Sequence, residues 1–244
     1  MQSFPNAVPA PSLQAANEDS IRKLTEGIDL IIHTAAISDV QTCEKHPEEA
    51  YCSNVELPVM LASTGVRMIA FSSGQVYSGS PNAGPYREED ALPATLYGKQ
   101  KLEMEERVLD ISPDSVMLRA TWMYDMPIYG VPNRSNFLMD MLLKKDLSFS
   151  SSQHWAVTYV REVVNNISKA IDLPGGSYNY ASENELFMLE AAQWLKDRLH
   201  LSVNLLDSGP LHNLWMDYGK LRKYGIHFNN MIDGLEKCIC DYNL

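Results

Sequence analysis

Three short runs of strand formers constrain this chain more than anything else in it. They are Ile28-Asp29-Leu30-Ile31-Ile32-His33-Thr34, Val66-Arg67-Met68-Ile69-Ala70-Phe71-Ser72 and Ser115-Val116-Met117-Leu118-Arg119. Each is apolar almost throughout rather than at alternate positions, the pattern of a strand covered on both faces in a parallel sheet. Helical stretches separate them. Asn17 caps a short helix with acids in its first turn, ended by Gly27, and Pro47 opens another that carries Ala50, Val55, Leu57 and Leu61. Strands alternating with helices make βαβ units, hence an α/β fold.

Beyond residue 122 the pattern continues less regularly. It predicts helices near 135–145, 160–171, 185–199 and 230–241, and a strand over Ser177–Ala181. Residues 1–14 read as irregular, with Pro5, Pro9 and Pro11. The long polar stretch from Gly74 to Pro93 reads as a loop, and loops of that length inside a domain are usually functional.

Composition excludes several classes. At 244 residues with a net charge of −11, the chain has no basic footprint for a nucleic acid. No apolar run reaches the length of a membrane span, and the first residues lack the basic start and apolar core of a signal peptide. Cys43, Cys52, Cys238 and Cys240 are too few and too oddly spaced for a disulfide framework or a zinc ribbon, so no metal is expected. A cytoplasmic location is the expectation.

Chemistry concentrates in Tyr97-Gly98-Lys99-Gln100-Lys101, read with Phe71-Ser72-Ser73. Tyr97 and Lys101 at i and i+4 share one helix face. An ammonium beside a phenol favours the phenolate and lowers its pKa from about 10. Such a tyrosine passes a proton to or from a carbonyl or alcohol oxygen, and Ser73 at a strand end could add a second hydrogen bond. A nicotinamide is the natural hydride partner. The same pair also arises as a half-buried ring beside a solvated lysine. Glu103, Glu105, Glu106 and Arg107 read mostly as the solvated face of this helix. Ala35-Ala36 follow the first strand, at the carboxyl end where open α/β sheets bind ligands. Small residues there admit a flat ring or simply pack closely.

Taken together, His33-Thr34-Ala35-Ala36, Asn54, Ser72 to Gly79, Pro85 to Asp90 and Tyr97 to Glu103 resemble the extended short-chain dehydrogenase/reductases. The resemblance is to the dTDP-4-dehydrorhamnose reductase branch, which also includes the non-catalytic regulatory subunit of methionine adenosyltransferase. It is strong over residues 17–122 and thinner beyond. It implies a Rossmann-like, mostly parallel sheet over residues 1–122 and a small substrate lobe mainly over 123–244, with some segments returning to the sheet. The lobe would pack over the strands' carboxyl ends, and a homodimer is possible.

The resemblance further implies an NADP- or NAD-dependent reductase of a nucleotide-linked keto sugar. Tyr97 would be the proton donor, with Lys101 tuning it and holding the nicotinamide ribose. Ser73 stands where the family has a hydroxyl residue. Ala35, Ala36, Ile37 and Ser38 would border the cofactor, and Ser73, Gly74 and Trp122 would meet the substrate. Asn54 matches a helix asparagine that is either catalytic or a buried amide satisfying backbone. A binding or regulatory homologue without turnover, or a sugar-nucleotide epimerase or dehydratase, are the alternatives.

Three departures stand out. Gly74 replaces an aspartate of the reductases, and Pro210-Leu211-His212-Asn213 lacks a preceding arginine. Nothing here resembles the family's first strand, glycine-rich turn and first helix, so the sheet is expected to be truncated at its N-terminal side. Residues 1–16 or a partner would then cover the open edge. That turn holds a dinucleotide's pyrophosphate. Protein made of these residues alone is accordingly expected to bind NADPH only at millimolar levels.

Overall fold

The computed structural model describes residues 6–9, 17–128 and 135–244; the expectations for residues 1–5 and 10–16 lie outside them. Among the described residues the strands are β1 (Ile31–His33), β2 (Met68–Ser73), β3 (Val116–Ala120), β4 (Trp122–Tyr124), β5 (Asp146–Phe149), β6 (Val157–Tyr159), β7 (Gly176–Asn179) and β8 (Asn204–Asp207). The chain divides into two compact units. The first comprises Met1–Ser80, Glu88–Ala120 and Ile167–Asn179, and the second Pro81–Arg87, Thr121–Asn166 and Tyr180–Leu244.

The first unit is built on a four-stranded parallel sheet in the order β1-β2-β3-β7. Ile32 pairs with Ile69, Phe71 with Leu118, and Leu118 with Tyr178. All five residues of β3 are buried, as a central strand covered on both faces requires. Helices α1 (Glu18–Leu24), α2 (Val40–Lys45), α3 (Pro47–Tyr51), α4 (Leu57–Ala62) and α5 (Leu96–Ile111) belong to this unit. Ile21, Leu61, Met68, Ala70, Met104 and Val108 form one core between helices and sheet, with Ile31 packed against it. The fold is therefore α/β, Rossmann-like and mostly parallel.

Some elements depart from the sequence pattern. β1 is shorter than its apolar run, since Ile28 and Asp29 are exposed and lead into it. The helix expected from Pro47 is broken. Pro58 has no N–H to give the carbonyl four residues back, and the preceding turn, Cys52–Glu56, widens to a π-helix. Helix α2, capped by Asp39, and strands β4, β5 and β8 are too short to leave a period.

In the second unit β4 pairs with β6 and β5 with β8, both parallel. Its helices are α6 (Phe137–Leu143), α7 (Val160–Ala170, which runs on into the first unit's sequence), α8 (Met188–Arg198), α9 (Gly219–Arg222) and α10 (Met231–Tyr242). Tyr124, Leu138, Met141, Tyr159, Leu195 and Leu235 lie in its core. The loop 81–87 joins this unit through backbone bonds between Tyr86 and Trp215, and between Asp217 and Tyr86, each 2.7 Å.

Candidate active site

The site is set by how closely α5 begins against the turn after β2. Thr95 caps α5, its hydroxyl accepting from the Gly98 N–H at 3.1 Å. A side chain at Gly98 would collide with the Gln75 carbonyl oxygen and would meet Pro93 Cβ and Thr95 Oγ1 at 3.0 Å. Glycine between Tyr97 and Lys99 is thus what lets the Gly74–Tyr77 turn lie against the helix. That approach brings the Tyr97 hydroxyl close enough to Ser73 for the serine hydroxyl to favour the phenolate. Ser73 also caps its own turn, accepting from Gln75 N–H at 3.2 Å.

Tyr97 is buried, its ring packed with Cys43 and Ala50 and flanked by Ile37, Val40 and Leu96. Burial pushes its pKa up to about 12, against the opposing pull of the Ser73 hydroxyl. The lysine-driven descent towards neutrality is not what this geometry gives. At neutral pH the phenol keeps its proton, the state of a donor rather than of a base. Lys101, one turn on, is wholly buried, and its Nζ makes no hydrogen bond among the described residues. Burial drives its pKa down to about 8, with Glu105 and Cys43 opposing.

The loop that follows β1 carries Ala35 and Ser38, both exposed, and Ala36 and Ile37, both half-buried. Asn54, on the π-helical turn, clamps it. Its Oδ1 accepts from Ile37 N–H at 2.9 Å, and its Nδ2 donates to the Ile37 carbonyl at 3.0 Å and to Gln100 Oε1 at 2.9 Å. Asn54 is therefore a buried amide satisfying backbone, and the backbone it satisfies is that of the loop. Cys43 Sγ donates to the same Ile37 carbonyl at 3.2 Å.

The expectation for Glu105 is corrected. It is only 2% exposed, not on a solvated face, because it continues the Tyr97–Lys101 face by one more turn. Arg119 of β3 meets it with Nε at 3.0 and 3.1 Å and Nη2 at 2.7 Å. Ser72 donates to Glu105 Oε1, and Ser177 to Oε2 at 2.7 Å. Arg119 Nη1 reaches Tyr77 Oη at 2.8 Å and the Glu88 carbonyl at 2.7 Å, and Tyr77 donates to Asn179 at 2.7 Å. The i, i+4, i+8 spacing of Tyr97, Lys101 and Glu105 was the signal for it.

Gly74 is buried beside Ser73 at the start of its turn. Trp122 belongs to the second unit, where it is 59% exposed with its ring 4.2 Å from that of Trp155. Among the described residues, no three His, Cys, Asp or Glu side chains are placed to hold a metal ion. No described helix is long and apolar enough to cross a membrane.

Residues 5–208 match the family described as the RmlD substrate binding domain. This chain belongs to that family. It falls in the dTDP-4-dehydrorhamnose reductase-like branch of the extended short-chain dehydrogenase/reductases, as the motifs implied. It is 30% identical over 187 residues to the spore coat polysaccharide biosynthesis protein SpsK of Bacillus subtilis (strain 168), covering 73% of this chain and 64% of that protein. It is 35% identical over 123 residues to the dTDP-4-dehydrorhamnose reductase of Sinorhizobium fredii (strain NBRC 101917 / NGR234), covering 48% of this chain and 39% of the relative. These matches span less than two thirds of either relative. The crystal structure of dTDP-4-dehydrorhamnose reductase from Bacillus anthracis str. Ames in complex with NADP superimposes with a TM-score of 0.79 at 21% identity, covering 92% of this chain and 85% of that one. At that identity the likeness concerns the fold.

Proposed function

We propose that this RmlD-family chain is an NADP- or NAD-dependent reductase of a nucleotide-linked keto sugar. One observation carries the reading: a buried Tyr97 hydroxyl beside Ser73, with the unpartnered Nζ of Lys101 one turn away on the same helix face. A buried ammonium without an acceptor is costly, and a site that receives a ligand hydroxyl there explains why it is kept. That donor suits a nicotinamide ribose, and Ala35, Ala36, Ile37 and Ser38 would border the ring. The dinucleotide, when bound, supplies the hydride.

The chain's own residues do the rest. Ser73 and Tyr97 donate to the substrate's carbonyl oxygen, and Tyr97 gives its proton to the alkoxide as charge develops. A phenol held up to about 12 remains protonated at neutral pH and is still far more acidic than an alcohol, so transfer runs downhill. Gly74, beside Ser73, would meet the sugar nucleotide, and Trp122 of the second unit offers an exposed indole face. In the same reading, the first unit takes the cofactor and the second supplies the substrate lobe.

The test is reduction of a nucleotide-linked 4-keto-6-deoxyhexose, followed by the loss of dihydronicotinamide absorbance. Tyr97→Phe is expected to lower kcat by about 10²–10⁴-fold, the usual worth of a positioned acid. A Tyr97→Phe protein as active as its parent overturns the reading.

A further inference from the structure

A second polar atom near Lys101 has no role in the chemistry above. His33 ends β1, is buried, and its Nε2 makes no hydrogen bond among the described residues. Topology puts it on the face of the sheet that the lysine's helix covers. Ile31 packs on the core that holds Met104 and Val108, and His33, two residues on, lies on the same face of the strand. Lys101 stands one turn before Met104 on the face that α5 turns to the sheet. The field of Lys101 reaches His33 and, after burial, helps to depress it to about 4, so the imidazole is neutral at physiological pH.

The other titratable groups around Lys101 are already engaged. Glu105 on α5 is bound by Arg119, Ser72 and Ser177. Cys43 on α2 is bound to the Ile37 carbonyl and to Asn54, and Tyr97 lies beside Ser73. Glu105 is paired directly with Arg119, and its charge favours the lysine ammonium only from a distance. A neutral imidazole with its proton on Nδ1 presents a lone pair at Nε2, the one acceptor in this set left over.

We propose that His33 is a positioning residue for Lys101, its Nε2 lone pair and the lysine ammonium sharing one hydroxyl-sized polar group between them. The shared group is a water in the free protein or a hydroxyl of a bound ligand. His33 thereby keeps the lysine protonated and aimed. The functional consequence rests on the reductase reading; the arrangement itself does not.

The experiment is a pH titration of Lys101 in the whole 244-residue chain labelled with ¹³C,¹⁵N-lysine, read by NMR without cofactor and assigned by loss of the signal in Lys101→Met. The parent should titrate near 8. His33→Gln keeps a neutral acceptor and should stay close to the parent. His33→Leu should fall by about one unit or more, tenfold in proton affinity. Where His33→Leu does not fold, His33→Ala with and without added imidazole replaces it, imidazole restoring the midpoint. A leucine variant titrating with the parent, Gln and Leu variants moving equally, or an alanine variant indifferent to imidazole overturns the proposal. Because no cofactor is used, this outcome is independent of the keto-sugar assay. If both hold, the pH profile of NADPH binding should move with the lysine in His33→Leu and not in His33→Gln.

Discussion

Lys101 and Glu105 are successive charged residues on one face of α5, both buried, and their surroundings are opposite. Glu105 has both oxygens occupied by a guanidinium and two hydroxyls, with Arg119 in turn bonded to Tyr77 and the Glu88 carbonyl. Lys101 Nζ makes no hydrogen bond among the described residues, and neither does His33 Nε2. A saturated network fixes strands β2, β3 and β7 to the helix and leaves nothing to offer a ligand. The bare turn weakens the fold and keeps its valences for something else. In the proposed reading one turn is scaffold and the next is site.

The contrast breaks most visibly under substitution. Arg119→Met strands the Glu105 carboxylate without a counter-charge and should cost about 3–5 kcal/mol, read as a fall in the urea midpoint. Adding Glu105→Leu should return much of that loss. Lys101→Met should act in the opposite direction. The lysine's pKa is about 8 in the fold against 10.5 unperturbed, so between those values the unfolded chain binds the extra proton. Parent stability should therefore rise with pH through that window, by up to about 3 kcal/mol. Lys101→Met should be more stable at pH 7 by a similar amount and lack the alkaline rise.

His33 should show the acid counterpart. Its pKa is about 4 in the fold against 6.5, so the unfolded state binds more protons between them and stability is lost as pH falls through that range. The loss should be about 3 kcal/mol, and His33→Gln should flatten it in acid unfolding curves. Smallest is Asn54→Leu, which deletes the clamp on Ile37 and should cost about 1–3 kcal/mol. Hydrogen exchange at the Ile37 amide should quicken in that variant. Unchanged exchange would mean that the loop is held by other contacts.

The sequence made one half of this contrast easier to read than the other. The parallel sheet was legible because residues 68–71 of β2 and 116–118 of β3 are apolar without a break, and Tyr97, Lys101 and Ser73 stood out as a candidate site because their spacing is chemical. Glu105 was not, since a lone glutamate among Glu103, Glu106 and Arg107 looks solvated until a buried arginine from another strand is placed opposite it. For Asn54 a buried amide satisfying backbone was one of two readings, but which backbone it holds was hidden, because backbone leaves no trace in residue identity. The π turn under Asn54 hid behind an ordinary helical pattern, with Pro58 the only sign of a break.

The most direct test of the contrast is the shift in urea midpoint that NADPH induces in the parent and in Lys101→Met at pH 7. A ligand at about ten times its Kd stabilises by about 1.4 kcal/mol, so even millimolar binding is measurable. The account predicts that Lys101→Met starts from the higher midpoint and gains nothing from NADPH, while the parent starts lower and is raised. Equal shifts in the two proteins, or a methionine variant less stable than its parent, would show that Lys101 belongs to the scaffold after all.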